Sequence, residues 1–150
     1  MKETGKITKV TIDSVPKKNF SFLGIVTSEP DYKLSHLLNK KFSLSLSHSD
    51  DEVITEPDNE QAAFSKFITQ DKKYTLISNR SSQSFLLRKI NKIDFLFIKA
   101  PELTAETTCG LSLQNIAGEI RKLDGITAVF IFNSNEIRDK NMEFLQNLME

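Results

Sequence analysis

A chain of 150 residues fits one domain of ordinary size, and its 39% apolar content, with 11 Phe, can build a core without disulfides or metals. Twenty basic side chains balance 20 acidic ones, which argues against bulk electrostatic attachment to nucleic acid or to an anionic membrane. Cys109 is the single cysteine, so no intramolecular disulfide can form. Met1 to Lys6 has no apolar run of the kind a signal peptide needs, and no stretch approaches the ~20 apolar residues of a membrane helix. A cytoplasmic location is the expectation.

The charge is unevenly spread: residues 1–50 carry a net +3, residues 51–100 +1 and residues 101–150 −4. Ile7, Val10 and Ile12 alternate with polar residues, so residues 1–18 are expected to be a mobile N-terminus or an edge strand, closed by a turn at Pro16-Lys17-Lys18-Asn19. Phe20 to Thr27 reads as a strand buried on at least one face, with Gly24 marking a bulge or a close approach by another element.

Glu29-Pro30-Asp31 opens a short helix, since proline suits the first helical position and a carboxylate suits the positive end of the dipole. Leu34, Leu37 and Leu38 form its apolar stripe, and it is expected to end near Lys41. Phe42-Ser43-Leu44-Ser45-Leu46-Ser47 alternates strictly and predicts a half-buried strand. Residues 49–62, rich in Asp and Glu, read as a loop. Phe64 to Thr69 and Tyr74 to Asn79 then form a hairpin across Gln70-Asp71-Lys72-Lys73.

Ile93 to Ile98 and Ala128 to Phe132 are nearly continuous apolar runs, the pattern of central strands covered on both faces. Between them, Leu113, Ile116, Ala117, Ile120 and Leu123 stripe a helix, with Ser112 as N-cap and Gly125 at its stop. Strand, helix, strand predicts a βαβ unit with parallel strands and a right-handed crossover. Asn133-Ser134-Asn135-Glu136 resembles a capping box for a last helix carrying Ile137, Phe144, Leu145 and Leu148 on one face. The expected fold is a single α+β domain over residues 1–150: a mixed sheet of five or six strands with two or three helices and one C-terminal βαβ unit.

The chemistry-bearing motifs are weak. Five glycines form neither a dinucleotide fingerprint nor a phosphate loop. Gly110-Leu111-Ser112 lacks the closing glycine of a nucleophile elbow, and both histidines precede it. His36, His48 and Cys109 lack the paired spacing of a zinc site, and the acidic stretch lacks the glycine and ligand spacing of a calcium loop. No catalytic residue, cofactor, metal or membrane partner is expected.

Three segments carry a family resemblance. Phe22-Leu23-Gly24-Ile25 with Asp31-Tyr32-Lys33-Leu34 and Leu37-Leu38-Asn39 is one; Tyr74 to Arg80 is the second; Leu87 to Phe95 is the third. Together they resemble the IPExxxVDY family of uncharacterised bacterial proteins. At the naming motif, Asp94 is identical and Leu87 and Ile93 are conservative, whereas Arg88, Lys89 and Phe95 replace proline, glutamate and tyrosine. The resemblance implies a shared fold and a cytoplasmic bacterial origin, and no activity, because that family has none assigned.

Among the matched positions, Tyr32 and Asn39 lie two turns apart on one helix and could flank a surface with Asn79 and Arg80. Asp94 heads a buried strand and needs a partner, with Arg80 or Arg88 in reach. These five (Tyr32, Asn39, Asn79, Arg80 and Asp94) are the candidate binding residues, with capping and ion pairing as the structural alternative. The leading functional expectation is a non-catalytic protein-interaction protein, a homodimer, because apolar strands need cover at sheet edges. An RNA- or ribosome-associated role rests on Lys17, Lys18, Lys33, Lys40 and Lys41. An enzyme using Tyr32, Arg80 and Asp94 comes third.

Overall fold

One open sheet of six strands, with helices and an irregular segment against its faces, organises the chain in a computed structural model that describes residues 20–55, 59–82, 84–100, 112–139 and 141–148. In chain order the elements are β1 (Ser21–Thr27), α1 (Asp31–Phe42), β2 (Ser47–Thr55), β3 (Gln61–Ile68), β4 (Tyr74–Ser78), a 3-10 turn (Arg88–Ile90), β5 (Phe95–Lys99), α2 (Leu113–Arg121), β6 (Ile126–Asn133), a second 3-10 turn (Ser134–Glu136) and α3 (Met142–Leu148). The N-terminal edge strand expected within residues 1–18, and Cys109, lie outside the described residues.

The α+β class holds, with six strands and three α-helices among the described residues. The strand order is β2-β3-β4-β5-β1-β6, and every neighbouring pair is antiparallel. β5 and β6 run parallel, as a βαβ unit requires, but β1 is inserted between them and pairs antiparallel with both. This insertion turns the expected mixed sheet into an antiparallel one.

Two apolar layers explain the unbroken runs. On one face, Leu34 and Leu38 of α1 and Ile116, Ala117 and Ile120 of α2 pack on Leu23, Ile25, Phe67, Leu76, Phe97 and Val129. On the other, Leu86, Leu87, Ile93, Ile137 and Leu145 cover Phe22, Phe64, Ile77, Leu96 and Ile98. At about 25 cal/mol per Å² and 150–250 Å² per aromatic, each buried Phe contributes several kcal/mol before entropy.

The alternating run Phe42 to Ser47 is not a strand as far as Leu46, and only Ser47 belongs to one, as the first residue of β2. Phe42 closes α1, and Ser43 adopts the left-handed conformation (φ 55°) that ends the helix. Leu44 to Leu46 form an irregular link, in which Leu46 is buried and Phe42 and Leu44 pack against the core. The period of two arises from a capped helix end whose apolar groups all turn inward. Of the segment 49–62 expected as loop, residues 49–55 belong instead to β2, an outer strand on which Asp50 and Asp51 are exposed and Glu52 is half-buried against Lys66, and Gln61 and Ala62 open β3. The last helix is also divided: the Asn133 box caps the 3-10 turn Ser134–Glu136, and α3 starts only at Met142.

The hairpin from β3 to β4 forms as expected, with Thr69 and Asp71 bridging its loop at 2.6 Å. Ser112 caps α2 by accepting from the Asn115 amide at 3.1 Å. Gly125 is not the helix stop. α2 ends at Arg121, and Gly125 uses φ +88° to enter β6.

Candidate interaction site

Three of the five polar candidates meet at one rim of the sheet, between the end of β4 and the start of β5. Asp94 accepts from the Thr27 amide at 2.9 Å and pairs with Arg80 Nε at 2.7 Å, so Arg80 and not Arg88 is its ion partner. The Thr27 hydroxyl donates to the Gly125 carbonyl at 2.6 Å, which ties the rim to the start of β6. Arg80 also lies over the Phe85 ring, 5.5 Å from its centroid.

Asn79 is fully buried. Its side-chain amide donates to the carbonyls of Ile90 and Ile93 at 3.1 and 3.0 Å, with a longer contact to Leu87 at 3.5 Å. Its Oδ1 accepts from the Leu87 amide at 2.8 Å. The side chain thus folds residues 86–93 onto the sheet, because an irregular buried segment needs partners for its backbone groups.

Asn39 is not part of this rim. It clamps the link after α1, donating to the Leu46 carbonyl at 2.9 Å and accepting from the Leu46 amide at 2.7 Å. Tyr32 is 69% exposed on the first turn of α1, with no side-chain hydrogen bond among the described residues. The expected surface shared by Tyr32, Asn39, Asn79 and Arg80 is therefore divided among an exposed ring, a helix-end clamp and a buried staple. Arg80 and Asp94 alone form a pair.

The electrostatic features are local. A hydrogen bond and the charge of Glu29, 2.8 Å away, raise the Lys33 ammonium above its ordinary value. Lys122 first, then Lys41, each bonded at 3.0 Å, lower the Glu119 carboxyl. The Thr69 hydroxyl, then the Lys73 amide, lower that of Asp71. His48 contacts Asp51 at 3.1 Å. Among the described residues no three His, Cys, Asp or Glu side chains are grouped to hold a metal ion, and no helix is long and apolar enough to cross a membrane.

The two edges of the sheet differ sharply. The β2 edge carries Asp50, Asp51 and Glu52 at a register shift between Ser49 and Glu52, and Glu52 pairs with Lys66. Charges and an irregular ladder are the usual devices that stop an edge from pairing with another chain. At the β6 edge no charged residue occurs from Gly125 to Asn135, and β-branched and aromatic residues dominate. Phe130 and Ile131 are 49% and 41% exposed, on opposite faces of that strand. The expectation that residues 128–132 form a central strand is thus corrected: among the described residues β6 has a neighbour on one side only.

The outward groups of β6 can be assigned from its contacts. The Ser134 amide donates inward to the Phe20 carbonyl at 2.8 Å. The Asn133 amide turns instead to Glu136 Oε1 at 3.2 Å, and the Val129 carbonyl accepts from Arg121 Nη2 at 2.8 Å and Nε at 3.3 Å. Groups alternate along an antiparallel strand, so Val129, Ile131 and Asn133 present their amides and carbonyls to the open edge. Sequence reasoning missed this site because a doubly covered strand and a self-pairing edge share one apolar pattern; the 11-residue charge-free run was the available signal.

No family model matches this chain, and no curated protein or solved structure matches it either.

Proposed function

We propose that the protein is a non-catalytic, cytoplasmic interaction protein whose docking element is the open β6 edge, and that its first partner is a second copy of itself. One contrast carries this reading: β2 is guarded by three acidic residues and a register shift, whereas β6 offers an uncharged, β-prone edge with Phe130 and Ile131 exposed. A second copy meets no like charge along that strand, and each copy supplies the same backbone groups, which have no partner among the described residues. Kinship with the IPExxxVDY proteins belongs to the same proposal. The matched residues Asn79, Arg80 and Asp94 hold the sheet rim together, which suits a likeness of fold.

Sedimentation of the wild-type chain and of Ile131→Lys tests the reading. The wild type is expected to associate at micromolar concentration and the variant to be monomeric with an unchanged circular dichroism spectrum. A wild type that stays monomeric throughout contradicts it. An RNA-associated role draws less support, because Lys33 and Lys41 are paired with Glu29 and Glu119 and Lys17 and Lys18 lie outside the described residues. An enzyme built on Tyr32, Arg80 and Asp94 draws less again, since Asp94 is already engaged by Arg80 and the Thr27 amide.

A further inference from the structure

The outward groups of β6 are unequally available, and this inequality selects a register. Resting on the edge-pairing reading above, we infer that two copies pair antiparallel across a two-fold axis centred on Ile131, with Arg121 of each copy reaching Glu136 of the other. Four outward groups have no protein partner among the described residues: the Val129 amide, both groups of Ile131 and the Asn133 carbonyl. The other two are held within the chain, the Val129 carbonyl by Arg121 and the Asn133 amide by Glu136.

In an antiparallel ladder, directly opposed outward residues exchange both hydrogen bonds. Centring on Ile131 sets Ile131 against Ile131 and Val129 against Asn133. Every available amide then meets an available carbonyl. The two held groups also fall opposite each other, so the carbonyl that Arg121 covers faces the amide that Glu136 covers. When these two join the ladder, the released guanidinium and carboxylate are neighbours of opposite charge, which opposes no part of the pairing. Centring on Val129 sets each covered carbonyl against an available amide, and centring on Asn133 sets each covered amide against an available carbonyl. Shifting the centre to Phe130 or to Phe132 sets a covered group against an open Ile131 group in each half.

The same register accounts for the exposed aromatic. Phe130 would stand opposite the partner's Phe132, on the face where the two rings of one chain already lie 6.2 Å apart. Two copies thus bring four rings together at the seam, and aromatic cross-strand pairs stabilise sheets. The product is one continuous sheet through both copies.

Cross-linking of single cysteines in a Cys109→Ala background reads the register directly. Opposed residues of a hydrogen-bonded pair have Cα atoms about 5.5 Å apart. Ile131→Cys should therefore link to its mate through a short thiol-to-thiol reagent. Thr127→Cys, exposed and displaced from its mate by eight residues and about 27 Å, should not. Separately, Arg121→Glu and Glu136→Arg should each weaken association about tenfold, the worth of two cross-strand charge pairs, and the double variant should recover it. Linkage at Thr127→Cys, or a double variant no tighter than the single ones, overturns the register while leaving edge pairing in place. An associated protein that links at neither position overturns the register as well, and whether Ile131→Lys abolishes the association then decides whether the edge is the contact. A protein that remains monomeric in sedimentation overturns both the register and edge pairing.

Discussion

Gly24 faces the ring of Phe132 so closely that a Cβ at position 24 would stand 2.5 Å from Cε2, with two Ile93 carbons at 3.1 and 3.2 Å. The glycine in β1 thus lets an aromatic from β6 lie across it, the close approach that the sequence pattern anticipates. Gly24→Ala forces the Phe132 ring off its seat. Overpacking of this kind costs about 1–3 kcal/mol, and denaturant unfolding should show that loss as a lower midpoint with an unchanged slope. The displaced ring lies beside Phe130, so the same variant should also weaken self-association.

Asn79 staples the segment 86–93 to the sheet. Asn79→Ala leaves the Leu87 amide and the Ile93 carbonyl without the side-chain partner they have in a buried setting, while the Ile90 carbonyl keeps the Ile93 amide. A loss of about 2–4 kcal/mol is expected from such orphaned groups. Asn79→Asp should be no better, since a carboxylate has no donor for the carbonyls. Thermal unfolding of both variants checks this.

At the rim, the two members of the ion pair should behave differently. Arg80 is more than half exposed, so Arg80→Ala should cost under about 1 kcal/mol. Asp94→Ala also removes the acceptor of the Thr27 amide and should cost about 1–3 kcal/mol. Equal losses in the two variants, measured by denaturant unfolding, would mean that the amide contact contributes nothing.

Much of this fold is legible in the pattern of the chain, and the failures have identifiable causes. β1, the β3–β4 hairpin, β5 and α2 follow from apolar period and turn chemistry. The Phe42 to Ser47 run fails because alternation describes side chains that turn inward, and a helix cap followed by an irregular link can do that as well as a strand. The acidic residues of β2 read as loop because charge pattern reports solvent exposure, and an outer strand is as exposed as a loop. The ion pair between Arg80 and Asp94 is readable from the need of a half-buried carboxylate for a partner. That Asn79 is a staple and Asn39 a clamp depends on which carbonyls the fold brings to them. The insertion of β1 between β5 and β6 is a long-range pairing with no local signature, and among the described residues it leaves β6 with a neighbour on one side only.

The hairpin loop should give stability a distinct acid limb. Asp71 is held below its ordinary value of 3.8 by Thr69 and the Lys73 amide. A carboxyl lowered on folding contributes stability that is complete above its unfolded value and is lost as pH falls through the lower folded value. Glu119, lowered from 4.5, adds the same sign slightly higher in pH. Asp71→Asn should therefore flatten the stability curve below about pH 4. A variant that loses stability toward acid as steeply as the wild type would contradict this.

The most direct test of edge pairing is hydrogen–deuterium exchange at the backbone amide of Ile131, followed over a range of protein concentrations. Self-pairing along β6 predicts an amide that exchanges freely in dilute solution and becomes progressively protected, together with that of Val129, as concentration rises. An Ile131 amide that exchanges at one fast rate at every concentration would contradict the account.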